Sequence, residues 1–412
     1  MVVELAQDEL KNLGKVWLSI FVSLSYCYVI GKITPKGFTR LVPILPVISL
    51  FLILPLNLTS IHFCGFTAFF IAWLANFKLL LFAFGKPPLS FDHPISYPLF
   101  IVVSCLPIKI QPPKNTPNSQ INQNPDQKSQ NNSYPSPQKF KNSQNPDQKS
   151  PNNSYPSPKK SQISQKEQNP DQRSQNKSYP SPQKSQISPR NYLIKFVLLA
   201  LMIKIYDYRD QIVQIHPKIL WLIYFFHIYF ALEIILAILA KSAKIFLGLE
   251  LEPQFNEPLL STSLQDFWGK RWNLMVTSIL RPTVYLPTLK ISSRVIGREA
   301  APLPAVMATF IVSALMHELI FYYLGRVGPT FEATWFFLLH GFCLCVEITV
   351  KKYGRQRKWR VPPRWFSGVA TAVFVVGTGF WLFLPPLLKA GLDTRGLGEY
   401  AVIGAYVKRV LF

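Results

Sequence analysis

His317 and Glu318 interrupt the apolar run Ser313 to Gly325 (SALMHELIFYYLG), and no other charged residue stands between Glu299 and Glu318. The stretch 303–325 is long enough to cross a bilayer, which takes ~20 apolar residues. The pair is therefore expected inside the membrane, where an ionisable group is costly and faces a cavity or a partner. A histidine in such a place can take the proton of a hydroxyl as its oxygen attacks an activated carbonyl. The plainer role is a hydrogen bond between helices. Glu318 points about 100° away from His317 on a helix, whereas Ser313, four residues back, shares its face. The segment is not HExxH, because Phe321 stands where the second histidine would be, and a metalloprotease is disfavoured.

A second concentration of chemistry-bearing side chains is SLQDFWGKRWN, 263–273. Ser261 or Ser263 can cap a helix here. On a continuous helix Asp266, Gly269 or Lys270, and Asn273 would form one stripe and Trp268 and Trp272 another. That pattern suits a helix at the membrane interface, where tryptophan anchors. An interfacial amphipathic helix with no catalytic part is one reading. In the other, Asn273 donates a hydrogen bond to a substrate carbonyl or a developing oxyanion.

The remaining histidines, His62, His93, His216, His227 and His340, carry weaker signals. None has an Asp five residues on, as the HxxxxD arrangement of soluble acyltransferases requires. No Gly-rich phosphate loop and no G-x-S-x-G elbow occurs, so hydrolases, kinases and nucleotide-driven transporters lose support. Cys27, Cys64, Cys105, Cys343 and Cys345 form no CxxC pair and sit in apolar segments. They read as small core residues, with neither a disulfide framework nor a zinc site.

These residues must be held by a membrane scaffold. The 412 residues are 49% hydrophobic, yet the block 111–190 has almost no large aliphatic residue. Candidate spans lie near 16–30, 38–56, 60–84, 192–206, 219–241, 303–325, 335–350 and 368–388. The expected fold is all-α and polytopic with about eight spans, since only helices and closed barrels satisfy their backbone in lipid. The chain divides into N-terminal transmembrane helices (1–110), a low-complexity insert (111–190) and a transmembrane core (191–412). The insert repeats NPDQKSQNNSYPSPQK, NPDQKSPNNSYPSPKK and NPDQRSQNKSYPSPQK, starting at 124, 145 and 169. It cannot bury enough apolar surface to offset chain entropy and is expected to be disordered. No cleavable signal peptide is evident, so the first span is expected to serve as the insertion signal.

The net charge of +23 does not imply nucleic acid, because the basic residues gather in short loops. The loop 351–364, KKYGRQRKWRVPPR, holds seven. Such loops mark the cytoplasmic side and attract anionic headgroups or a phosphate-bearing substrate. This places 351–364, 242–302, the insert and the loop around Lys32, Lys36 and Arg40 in the cytoplasm and the N-terminus in the lumen. It requires that 97–110 not cross. The sequons at Asn131, Asn152 and Asn176 are then unglycosylated.

The stretch PLLSTSLQDFWGKRWNLMVTSILRPTVYLP, followed some forty residues on by SALMHEL, resembles plant wax synthases, the long-chain-alcohol O-fatty-acyltransferases of the membrane-bound O-acyltransferase superfamily. FGKPPL at 84–89 resembles a family segment usually written with Gly where Pro87 stands. The resemblance covers about 1–110 and 190–412; the insert departs from it. It implies a many-helix membrane enzyme with a central chamber, an intramembrane catalytic base matching His317, and a companion asparagine matching Asn273. It implies acyl-CoA as co-substrate, a lipid alcohol from the bilayer as acceptor, and residence in the endoplasmic reticulum. No metal or further cofactor is expected, because a thioester is already activated. Trp268 and Trp272 are expected to shape the substrate walls, and Asp266, Lys270 and Arg271 to orient the block or meet the CoA phosphates. The leading expectation is wax-ester synthesis from a fatty alcohol. The alternatives are a sterol or diacylglycerol acceptor, or a non-enzymatic transporter or scaffold.

Overall fold

The computed structural model describes residues 2–90, 95–106, 189–248, 254–360 and 362–411. The insert repeats, the three sequons and His93 lie outside the described residues. Among the described residues every regular element is helical. Residues 1–111 and 187–412 pack as one unit, so the two apolar portions of the sequence are not separate domains.

Seven helices among the described residues are long and apolar enough to cross a membrane: Gln7–Ile33, Phe38–Asn57, Ile61–Ala83, Lys218–Phe246, Gly297–Gly325, Glu332–Gln356 and Arg364–Lys389. The eighth segment expected to span, 192–206, is helical as well: it forms the helix Pro189–Ile205, which runs on through the tight turn Tyr206–Tyr208 into the helix Arg209–Ile215. It pairs with the fourth span through Lys195 and Glu233. The stretch after Ser96 forms a nine-residue helix, Tyr97–Cys105, too short to cross.

Loop contacts sort the helix ends onto two faces. On one face the Glu9 carboxylate accepts from the backbone N–H groups of Thr59 and Ser60, at 2.7 and 2.8 Å. Arg326 donates there to the carbonyls of Leu56 and Leu58, and Arg395 to those of Leu324 and Thr59. On the opposite face Gly37 N–H bonds the Ala83 carbonyl, and Lys352 pairs with Glu299. That second face carries Lys32, Lys36, Arg40, Lys86, Lys351, Lys352 and Arg355, and excess Lys/Arg in short loops marks a cytoplasmic face.

Charged groups within the bundle serve helix ends. Arg40, buried, donates to the carbonyls of Gly31, Thr34 and Phe82. A cation at two helix C-termini satisfies their last carbonyls and complements their dipoles. Lys78, with no exposed surface, does the same for Tyr97–Cys105, bonding the carbonyls of Val103 and Leu106 at 2.6 and 2.5 Å. The fifth and sixth spans approach closely at Gly341, where a Cβ would stand 2.9 Å from Phe310 Cβ. Large apolar residues such as Leu18, Phe21, Leu315 and Trp381 remain exposed, as expected of a lipid-facing surface.

Among the described residues four segments widen into π-helix: Ala68–Ala75, Phe267–Arg271, Arg281–Tyr285 and Gly379–Phe383. Single π-turns recur at functional sites because the extra residue re-aims neighbouring side chains. All four contribute to the wall of one cavity.

Candidate active site

The cavity has a volume of ≈ 800 Å³ and an almost wholly apolar lining. Its wall runs from Ser261, Pro302 and Ile348 at the basic face, past His317, to His62, Tyr400 and Asp393 at the other. This is the size of pocket that encloses a small lipid-like ligand.

His317 stands in the fifth span and lines the cavity. Its Nδ1 lies 2.7 Å from the carbonyl oxygen of Ser313, one turn back. A carbonyl only accepts, so Nδ1 carries the proton and donates. Nε2 is left with its lone pair, which makes it the atom able to accept a substrate proton. The ring is held in an aromatic box: Phe337 at 4.3 Å between centroids, Trp73 at 5.2 Å and Phe383 at 5.7 Å, with Phe321 at 6.5 Å. These rings come from four different helical segments, so the imidazole orientation is set by tertiary packing. Glu318, its sequence neighbour, turns away and caps the sixth span, accepting from Thr334 N–H and hydroxyl at 2.9 and 3.0 Å.

The block 263–273 is not the continuous helix its spacing suggested. Ser263 caps a short helix, Leu264–Asp266, by accepting from Asp266 N–H. The Glu347 carboxylate also accepts from the N–H groups of Leu264 and Gln265, at 2.8 and 3.2 Å. An anion at this helix start complements its partial positive charge. After the π-segment the chain extends at Trp272, and Asn273 turns into the left-handed region (φ 40°, ψ 67°) to cap Leu274–Leu280. Asparagine tolerates this region better than most residues. The Asn273 side-chain oxygen accepts from Val276 N–H at 3.3 Å. The atom left for a ligand is therefore the amide nitrogen, a donor.

This break separates the expected site residues into two groups. Trp268, Trp272 and Asn273 line the same cavity as His317. Trp272 stacks on Phe267 and Tyr229, and Trp268 packs against Phe310 and Phe337. Asp266, Lys270 and Arg271 do not line it. Asp266 and Arg271 pair at 2.8 Å, and Arg271 also donates to the carbonyls of Asn256 and Glu257. The Asp266–Arg271 pair fastens the π-segment to the preceding loop, which matches the expected part of orienting the block. Lys270 is exposed outside the cavity.

Structure adds residues that sequence reasoning passed over. His340, with no exposed surface, accepts from Trp268 Nε1–H through Nδ1 (3.1 Å), and its Nε2 lies 2.8 Å from the Thr378 hydroxyl. This fixes the Trp268 ring in the wall. Trp73 and Phe383 belong to π-segments inside apolar runs, where no local pattern distinguishes them from core. His62 and His227 come from different spans and meet only through Tyr400.

Residues 251–339 match the sequence profile of the Membrane bound O-acyl transferase family. The chain is 43% identical over 397 residues to Acyl-CoA–sterol O-acyltransferase 1 of Arabidopsis thaliana, covering 96% of each protein. It is 37% identical to Probable long-chain-alcohol O-fatty-acyltransferase 1 of the same plant, over 96% of this chain and 97% of that one. It is also 37% identical to the Long-chain-alcohol O-fatty-acyltransferase of Simmondsia chinensis, over 98% and 97%. With a histidine presented to an apolar chamber between seven apolar helices, this chain is a multi-pass membrane acyltransferase and belongs to the membrane-bound O-acyltransferase family.

Proposed function

We propose that the chain transfers a fatty acyl group from acyl-CoA to the hydroxyl of a long-chain lipid alcohol, with His317 as general base. The tautomer of His317 carries this reading: its Nδ1 is committed to the Ser313 carbonyl and its Nε2 is free in the cavity. Nε2 removes the alcohol proton as the oxygen attacks the thioester carbonyl. The C–S bond then breaks, and the thiolate of CoA recovers the proton from the imidazolium. Ester and free CoA are the products, and no metal or nucleotide is needed to activate the acyl group. Asn273 donates through its amide nitrogen to the carbonyl oxygen as it gains negative charge. Trp268 and Trp272 shape the wall around the reacting groups. The phosphates of CoA are held at the basic face by its Lys/Arg-rich loops, and the apolar chamber takes the chains. These loops serve substrate and anionic lipid headgroups, not nucleic acid. The endoplasmic reticulum, where acyl-CoA and lipid alcohols meet in one bilayer, is the proposed location.

A fatty alcohol is the leading acceptor. A sterol is the second reading, favoured by the higher identity to the sterol acyltransferase than to the two alcohol acyltransferases. The test is expression in microsomes lacking neutral-lipid acyltransferases, beside His317→Ala, with labelled acyl-CoA and a mixture of fatty alcohols, sterols and diacylglycerol. A new ester whose rate falls by roughly 10²–10⁴-fold in the variant is expected, and its identity names the acceptor. Equal ester formation by both proteins would remove His317 from the mechanism.

A further inference from the structure

The end of the cavity away from the basic face is unlike the rest of its wall. Glu399 accepts there from Ser60 hydroxyl, Ile61 N–H and His62 Nδ1–H, at 2.8, 2.6 and 2.6 Å. His62 Nε2 lies 3.1 Å from the Tyr400 hydroxyl, and the same hydroxyl lies 3.2 Å from His227 Nε2. The chain Glu399–His62–Tyr400–His227 then stops. His227 Nδ1 has no partner among the described residues, and neither does the hydroxyl of Tyr206, whose ring centroid lies 5.5 Å from that of His227. Both residues are more than nine-tenths buried, and both line the cavity.

Whichever way the Tyr400 proton points, one valence at His227 Nδ1 stays open. If Tyr400 donates to His62, then His227 Nε2–H donates to Tyr400 and Nδ1 is an unfilled acceptor. If Tyr400 donates to His227, then Nδ1–H is an unfilled donor. Leaving two such buried groups against a methyl terminus costs the desolvation of each. A hydroxyl, which both donates and accepts, matches either tautomer. A carboxylate does not suit this end, because Asp393 and Glu399 border it.

The distance from the reacting centre follows from two helices. Trp73 touches His317, and His62 stands eleven residues earlier in the same span. Independently, Leu324 is seven residues past His317 and packs near Gly65, three residues from His62. At about 1.5 Å per residue both routes give roughly 15 Å.

We propose that Tyr206 and His227, backed by Tyr400, His62 and Glu399, form a subsite for a hydroxyl at the remote end of a lipid chain whose reacting end lies at His317. This rests on the esterification assigned to His317. The remote hydroxyl is carried either by the acceptor, as in a diol or a side-chain-hydroxylated sterol, or by the acyl donor, as an ω-hydroxyacyl chain.

The test uses the full chain in lipid nanodiscs. One arm compares KM for α,ω-dodecanediol and dodecanol with an unsubstituted acyl-CoA. The other compares ω-hydroxyacyl-CoA with its unsubstituted counterpart, using dodecanol as acceptor. In one arm the hydroxylated chain should show a KM roughly tenfold lower, the worth of one buried hydrogen bond and well beyond the statistical gain of a diol's two equivalent ends. That ratio should collapse toward unity in Tyr206→Phe, which removes a single oxygen, and in His227→Phe, and recover in part in His227→Gln. Equal KM values in both arms, or a preference that survives both phenylalanine variants, would overturn the proposal. Equilibrium binding of dodecanediol against dodecanol to the His317→Ala protein reads the subsite without turnover. Selective binding with no ester from the wild type would fault the esterification alone, and ester formation without selectivity would fault the subsite alone.

Discussion

Replacing Asn273 separates the capping its side chain performs from the donor role proposed for it. Its oxygen accepts from Val276 N–H, and its backbone holds φ 40° at the start of Leu274–Leu280. Its amide nitrogen is the donor assigned to the carbonyl oxygen of the acyl group. In Asn273→Asp one carboxylate oxygen still caps the helix, aspartate caps about as well as asparagine, and both tolerate left-handed backbone. Stability should therefore stay within about 0.5 kcal/mol of wild type. The donor, however, is lost, and a negative charge faces the atom on which negative charge develops. Losing one such donor costs roughly 10²–10³-fold in kcat, or about 2.7–4 kcal/mol. Asn273→Ala should fail on both counts: the lost cap costs about 1 kcal/mol, and an alanine held in left-handed backbone costs about 1–2 kcal/mol more. The assay pairs initial rates of ester formation with thermal unfolding of each purified variant in nanodiscs. A stable Asn273→Asp that esterifies at the wild-type rate would reduce Asn273 to a helix cap and refute the donor role.

Two further predictions concern the scaffold. Gly341→Ala places a Cβ 2.9 Å from that of Phe310 and should destabilise the protein by about 1–3 kcal/mol by overpacking; an unchanged unfolding midpoint would show that the fifth and sixth spans separate freely. At Glu399, burial pushes the carboxyl up, but hydrogen bonds from His62, Ile61 and Ser60 outweigh it and hold it below the usual range. A depressed carboxyl contributes stability in full above its unfolded value of about 4.3, and that contribution is lost as pH falls through the lower folded value. Glu399→Gln should thus cost about 2 kcal/mol at neutral pH and speed hydrogen exchange in the helix Leu392–Leu411, with a smaller cost at acid pH; equal exchange at both pH values would contradict the sign.

Much of this protein is legible in one dimension. Apolar run length gives the spans, because a bilayer sets the number of residues a helix needs. His317 could be singled out because a charge-bearing pair inside a long apolar run is conspicuous on its own. Its Ser313 partner was also within reach, since the carbonyl one turn back on a helix is a local matter. The stripe of Asp266, Lys270 and Asn273 does not form because spacing rules presume an unbroken helix, and the chain changes to π-helix at Phe267 and to extended backbone at Trp272, nine residues past Ser263.

What the tertiary structure alone decided is the cavity and the company kept inside it. Trp73, His317, Phe337 and Phe383 form one box, yet they come from the third, fifth, sixth and seventh spans. His62, His227 and Tyr400 meet although residue 62 is 338 positions from residue 400. Periodicity tells which face of a helix turns inward; it carries no information on which other helix that face will meet. That choice is made by packing among all the spans at once, and so the sequence could single out His317 but not the chamber it lines.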